Sequence, residues 1–430
     1  MTAPAETAAS RYANPTYRWY ALTVMMGIFL CHAMDRTMAG ILIEPIKEEF
    51  GLTDAQAGFY SGTAFAIGFS TAVLPMGWLS DRVNRRNLLA LAVAAWSIFT
   101  ALGGLSRLYS QLLLTRIGVG VFESGAAPLS LPMLSDIFPP ERRGFVMGIF
   151  YTSSNLGSLL AAAAGGLIAA EYGWRVALMV AGAPGLFFAV VMILTVQEPK
   201  RGGSETGGEA APPQKAPPIR EVFRFLGRNP AVISLMLAAS MMALVSIIVG
   251  AWSASFFMRV HGFSLTQVGL IIGLAGGMGG VLSPPLYGWI ADRLSARNPA
   301  WALRIVWVSC IILLAIGMLQ LFTPLVLVAV ACYAAGEFLR SGYSPPTYSV
   351  LMSNVPVGMR GTVMSMVQLG SNLMGFGLGP LLVGALSDHY GGGKAIRYAM
   401  ANAFLIFIPV TILFILASWG LFRKRSRFPV

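Results

Sequence analysis

Apolar segments of about twenty residues follow one another along almost the whole of this 430-residue chain, and few folds can accommodate that. Twenty helical residues rise about 30 Å, the hydrocarbon thickness of a bilayer, where a helix satisfies its own backbone N–H and C=O groups. Twelve such segments can be drawn, at 17–43, 55–79, 88–106, 109–134, 144–170, 174–196, 230–258, 266–291, 301–322, 324–352, 361–387 and 396–422. With 56% hydrophobic and only 11% charged residues, the composition is that of a polytopic all-α membrane protein. The formal net charge of +12 would suggest nucleic acid in a soluble protein. Here the basic residues sit in short connections, where they set orientation, and no nucleic-acid partner is expected. Cys31, Cys310 and Cys332 are odd in number and lie within apolar segments, which speaks for packing rather than disulfides. Residues 1–16 hold no apolar signal core, so the first span is expected to direct insertion.

The organisation is two halves of six spans. A cytoplasmic tail of 1–16 precedes a first bundle at 17–196; a linker at 197–229 leads to a second bundle at 230–422 and a basic tail at 423–430. The linker contains GGSETGGEAAPPQKAPP, too polar to build a core, and ends in IREVFRFL, where apolar residues interleave with Arg220 and Arg224. That end reads equally as a short helix on the lipid surface or as solvated linker. Arginines and lysines concentrate in alternate connections, which are therefore expected to face the cytoplasm together with both termini.

The halves repeat each other. Gly77–Asn87 (GWLSDRVNRRN) matches Gly288–Asn298 (GWIADRLSARN), and Phe138–Asn155 (FPPERRGFVMGIFYTSSN) matches Val355–Asn372 (VPVGMRGTVMSMVQLGSN). Continued upstream, the second register sets Glu123 of span 4 against Arg340 of span 10.

Span 4 carries Arg116 and Glu123, seven residues apart and so on one helix face. A charge at membrane depth costs at least about 2.5 kcal/mol, so that face must look into protein or water. Span 1 carries Asp35 and Arg36, pointing about 100° apart; one arrangement turns Asp35 toward Arg116 and Glu123, and Arg36 toward the central cavity. Buried carboxylates beside a mobile arginine can change proton affinity, which makes Asp35, Glu123 and Arg116 the candidates for proton coupling. A permanent ion-pair network between spans 1 and 4 is the alternative. Arg36 and Arg340 suit an anionic substrate group, because guanidinium binds carboxylate or phosphate bidentately. Glu337 either neutralises Arg340 within the helix or contacts substrate directly. His32 is a proton relay or a packing histidine, and Asn155 and Asn372 line the cavity or tie helices together.

Two six-span halves with G-x-L-S-D-R-x-x-R-R after span 2 resemble the major facilitator superfamily, Asn84 standing where that loop usually has glycine. The resemblance implies a secondary transporter working by alternating access, usually a monomer. It also implies that Asp81 latches the cytoplasmic side against the partner half, with Gly77, Arg82, Arg86, Asp292, Arg293, Arg143 and Arg360 in the same latch. The Asp-Arg of span 1 with the Arg and Glu of span 4 is similar to two branches of the superfamily. One is the spinster family of lysolipid and sphingolipid transporters, the other the anion:cation symporters that move sugar acids. Gly375–Asp388 (GFGLGPLLVGALSD) and Met359-Arg360-Gly361 look more like the spinster side, implying a bacterial inner-membrane protein with an amphipathic lipid-like substrate. A small organic anion, a multidrug exporter and a transporter-like sensor are the alternatives. Gly276–Gly280 follows no strand and is expected to allow close helix approach rather than bind phosphate. Neither a metal, nor a cofactor, nor enzyme activity is expected, since no nucleophile–base set or metal-ligand spacing appears.

Overall fold

The computed structural model describes residues 11–80, 82–201, 218–295, 301–356 and 359–426. Among these, helices are the only regular elements. Nine are long and apolar enough to cross a bilayer, and span 1, Pro15–Ile41 bent by 51° onto Ile43–Phe50, makes a tenth. Two more arise from breaks. Pro140–Thr195 is interrupted at Gly173, whose φ of +84° only glycine adopts readily, which divides spans 5 and 6. Span 10 is split into Val326–Ser341 and Ser344–Ser353, each too short to cross alone.

The chain forms two compact units, residues 1–45 with 64–212 and residues 46–63 with 213–430. The segment Ile46–Thr63, which sequence order assigns to the first half, therefore packs with the second unit. In the first unit, span 2 (Asp54–Ser80, from Ala64 onward) lies backbone to backbone on span 4 (Tyr109–Glu123 and Ala126–Ile137). A Cβ on Gly68 would come within 2.1 Å of the Ile117 carbonyl, and one on Gly120 within 2.3 Å of that of Phe65. Tyr12, buried ahead of span 1, donates to the Gln197 carbonyl, while Tyr17 donates to Thr195 O at 2.8 Å. Burial, and then the neighbouring Tyr17, push the Tyr12 phenol above its ordinary range, so it stays a donor.

In the second unit, spans 7 (Pro230–His261), 8 (Leu265–Ser295) and 9 (Ala302–Phe322) precede the broken span 10; spans 11 (Arg360–His389) and 12 (Gly393–Leu421) follow. The linker end forms the helix Ile219–Gly227, with Val222 and Leu226 buried and Ile219 and Phe223 exposed. Gly279 backs onto span 10, 2.9 Å from a built Cβ to Phe338 N, which is the close approach expected of that glycine run.

The repeat continues where the sequence match had not been drawn. Gly51 and Gly262 turn with φ of +62° and +72°. Each is followed by a capping box, Thr53 with Gln56 and Ser264 with Gln267, and then by a wide π-helical turn at Phe59–Thr63 or Ile272–Gly276.

Candidate functional site

The charged face of span 4 is built inside the first unit. Arg116 and Glu123 are buried, and so are His32 and Asp35 of span 1. Glu123 Oε2 accepts from Arg36 Nε at 3.1 Å, and His32 Nδ1 lies 3.1 Å from the same oxygen. The Arg36 guanidinium carbon stands 4.8 Å from the Phe65 ring centroid and 5.5 Å from that of Phe69. Arg116 reaches the Phe65 ring as well, at 5.0 Å. One aromatic ring thus serves two guanidiniums, a favourable contact in a desolvated setting. Among the described residues, Asp35 Oδ1, Glu123 Oε1 and Arg116 Nε and Nη2 are buried without a hydrogen-bond partner.

This corrects one expectation. Arg36, expected to turn toward the central cavity, is bonded to Glu123, while Asp35 keeps Glu123 and Arg116 as its electrostatic neighbours. Helical spacing allows this: His32 and Arg36 are one turn apart and converge on one carboxylate oxygen. His32 accordingly belongs to the Glu123 cluster, and Arg36 meets its carboxylate within the protein.

In the second unit, Arg340 is bonded to Glu337 within the same helix. The Tyr333 ring, one turn earlier, stands edge-on to Phe257 with centroids 5.6 Å apart. Asn372 donates to the Gln368 carbonyl one turn before it at 2.9 Å, and Asn155 is half-buried.

The expected latch residues fall into matching sets. Arg82 covers Trp78 at 4.0 Å and Arg293 covers Trp289 at 3.6 Å, both exposed; Asp292 is exposed and Gly77 half-buried. Arg143 Nε donates to Phe138 O at 3.3 Å and Arg360 Nε to Val355 O at 3.1 Å, the same five-residue return in each half. Arg86 donates to Ile193 O at 2.8 Å. Asp81 lies outside the described residues.

Two clusters were missed by reasoning from sequence. Arg85, assigned only to topology, is buried and joins Asp136 Oδ2 and Glu198 Oε1, both at 2.7 Å, tying the start of span 3 to the ends of spans 4 and 6. In the second unit, Asp54 is fully buried and takes both Arg259 terminal nitrogens, at 2.7 and 2.8 Å, together with Ser387 Oγ at 2.6 Å and Lys47. Asp388 in turn accepts the N–H groups of Asp54 and Ala55 at 2.8 Å each, capping span 2. The Thr-x-x-Gln capping box around Asp54 was the available signal; its partners, 205 and 333 residues away, gave none.

Paired helical units with buried charges on facing spans define a membrane transporter of the major facilitator type. The chain belongs to that family: the family model described as Major Facilitator Superfamily matches residues 25–306. Spinster proteins are among its relatives there. It is 30% identical to Protein spinster homolog 1 of Bos taurus over 396 residues, covering 85% of this chain and 72% of that protein. It is 28% identical to an MFS-type efflux pump of Mycolicibacterium smegmatis over 391 residues, 90% of this chain and 89% of that one. It is also 25% identical to the D-galactonate transporter of Escherichia coli over 417 residues, 91% and 95% of the two chains. Among solved structures, a bacterial homolog of the human lysosomal transporter Spinster, in an inward-facing and unoccupied conformation, matches with a TM-score of 0.87 at 26% identity. It covers 96% of this chain and 99% of that chain.

Proposed function

We propose that this protein is a proton-linked secondary transporter in a bacterial inner membrane, with both termini cytoplasmic, moving an amphipathic lipid-like substrate that bears an anionic group. The observation that carries the reading is the buried carboxylate of Glu123, held by Arg36 beside His32, with Asp35 and Arg116 buried in the same unit. Protonating Glu123 removes the charge that binds Arg36, so Arg36 becomes available to a substrate anion only when a proton has arrived. Deprotonation restores the pair and expels the anion. Asp35 and Arg116 serve as the second acid and its countercharge. In the other unit, Arg340 leaves Glu337 for substrate in the same manner, with Tyr333 and Phe257 supplying apolar wall. A carboxylate that exchanges an internal arginine for a proton is a group whose accessibility and charge change together, which alternating access requires.

The similarity to the D-galactonate transporter favours one second reading, a proton symporter of a small sugar acid, in which the same arginines hold a carboxylate. Proteoliposomes under an imposed pH gradient, offered a lysophospholipid and a sugar acid in parallel, separate the two. The expected result is gradient-dependent lysophospholipid movement that Asp35→Asn and Glu123→Gln abolish. Sugar-acid movement alone selects the second reading, and unchanged flux in both variants overturns the coupling assignment.

A further inference from the structure

A groove of about 620 Å³ lies in the second unit between the start of span 9 and the end of span 12, far in sequence from the charged residues already described. Trp301, Arg304 and Val308 form one stripe of span 9 facing it, and Ile415 and Trp419, one turn apart, form the opposing stripe of span 12, with Trp307 completing the wall. Three of the chain's nine tryptophans thus line a single groove. Among the described residues no acidic side chain lines it.

Its chemistry is graded along the span axis. At the span end stand the donors. The exposed Arg304 guanidinium lies 4.7 Å from the Trp301 ring, and the Trp301 indole N–H is buried with no acceptor among the described residues. A turn or two deeper, Val308 and Ile415 make the groove apolar. Indole rings sit at headgroup depth in a bilayer because one end is apolar and the other a donor. Span 12 continues directly into the basic run Arg423, Lys424 and Arg425, placing the groove at the arginine-rich membrane surface.

Cationic donors at the interface followed by an apolar channel match one ligand class. We propose that this groove is a binding site for an anionic phospholipid of the bilayer, its phosphate held by Arg304 and the Trp301 indole and its acyl chain laid along Val308 and Ile415. The assignment stands apart from the transported substrate, since no residue of the groove belongs to the Glu123 or Arg340 clusters. A phosphate-free or zwitterionic lipid would leave the unopposed positive end without its counterion.

Native mass spectrometry of the purified full chain, titrated with dioleoylphosphatidylglycerol or dioleoylphosphatidylcholine, tests this directly. The expected result is a first phosphatidylglycerol bound about tenfold more tightly than phosphatidylcholine, the preference being lost in Arg304→Gln and reduced in Trp301→Phe. Arg228→Gln, which removes an exposed arginine at the start of span 7, should leave it intact. Glycerol phosphate should neither bind at lipid concentrations nor displace the lipid. Equal retention of the two lipids by the unaltered protein, or equal loss in Arg304→Gln and Arg228→Gln, would overturn the site. Should Arg304→Gln yield no folded protein, Trp301→Phe and the two-lipid comparison decide alone.

Discussion

Glu123, its side chain buried, holds a half-buried Arg36, and that makes the residue scale the sharpest place to test the energetics. Removing one member of a buried pair leaves the other uncompensated, typically at about 3–5 kcal/mol. Glu123→Ala should therefore destabilise the protein by about that amount, and Glu123→Gln, which keeps an acceptor for Arg36, by clearly less. Denaturation midpoints of the purified variants measure the difference; equal losses would mean that the carboxylate charge does not hold Arg36. The charged residues themselves were legible in the sequence, because a charge within an apolar span is costly enough to demand a reason. Their pairing was not. Asp35 and Arg36 are adjacent, and only the observed rotation of span 1 decides that Arg36 joins His32 on Glu123.

At the scale of elements, hydropathy located the spans because a bilayer imposes one length on each of them. The breaks were harder to see. Span 10 divides after Ser341, and the long helix Pro140–Thr195 turns only at Gly173, both local backbone choices inside apolar sequence. The larger surprise is Ile46–Thr63, which packs with the second unit although the repeat places it in the first half. Asp54 explains the attachment. It receives Arg259, Ser387 and, from the segment just before it, Lys47, while Asp388 caps the helix that begins at Asp54, so three side chains fasten the start of span 2 to spans 7 and 11. Arg259→Gln takes the bidentate partner from a fully buried carboxylate that keeps Lys47 and Ser387, and should cost about 1.5–3 kcal/mol. Asp388→Asn weakens only a helix-capping interaction and should cost about 1 kcal/mol. Urea or thermal midpoints check the ordering, and a greater loss in Asp388→Asn would contradict it. Beyond the capping box at Thr53 the sequence held no sign of this cluster, since its members lie at the ends of spans, where charge is ordinary.

Across the whole molecule the repeat was the most informative pattern, and it extends further than the two sequence matches. Turning glycines, capping boxes, wide turns, arginine–tryptophan stacks and arginine returns to a carbonyl all recur at corresponding places in the two halves. The repeat fails at two buried charges: Glu123 aligns with Arg340 in register, and Asp54 has Leu265 as its counterpart. The substrate was not legible, because an arginine that accepts phosphate accepts carboxylate equally well. Orientation is testable at this scale. A fluorescent protein fused after Val430 should mature and fluoresce, whereas alkaline phosphatase at the same point should stay inactive; the reverse would invert the assignment of the arginine-rich loops to the cytoplasm. In the proposed mechanism Glu123 exchanges Arg36 for a proton during transport, and proton movement itself measures that exchange. In proteoliposomes loaded with a pH-sensitive dye and given no initial gradient, adding a lysophospholipid should shift the internal pH with the unaltered protein and not with Glu123→Gln. Lysophospholipid movement without any pH change, or the same pH change in Glu123→Gln, would contradict it.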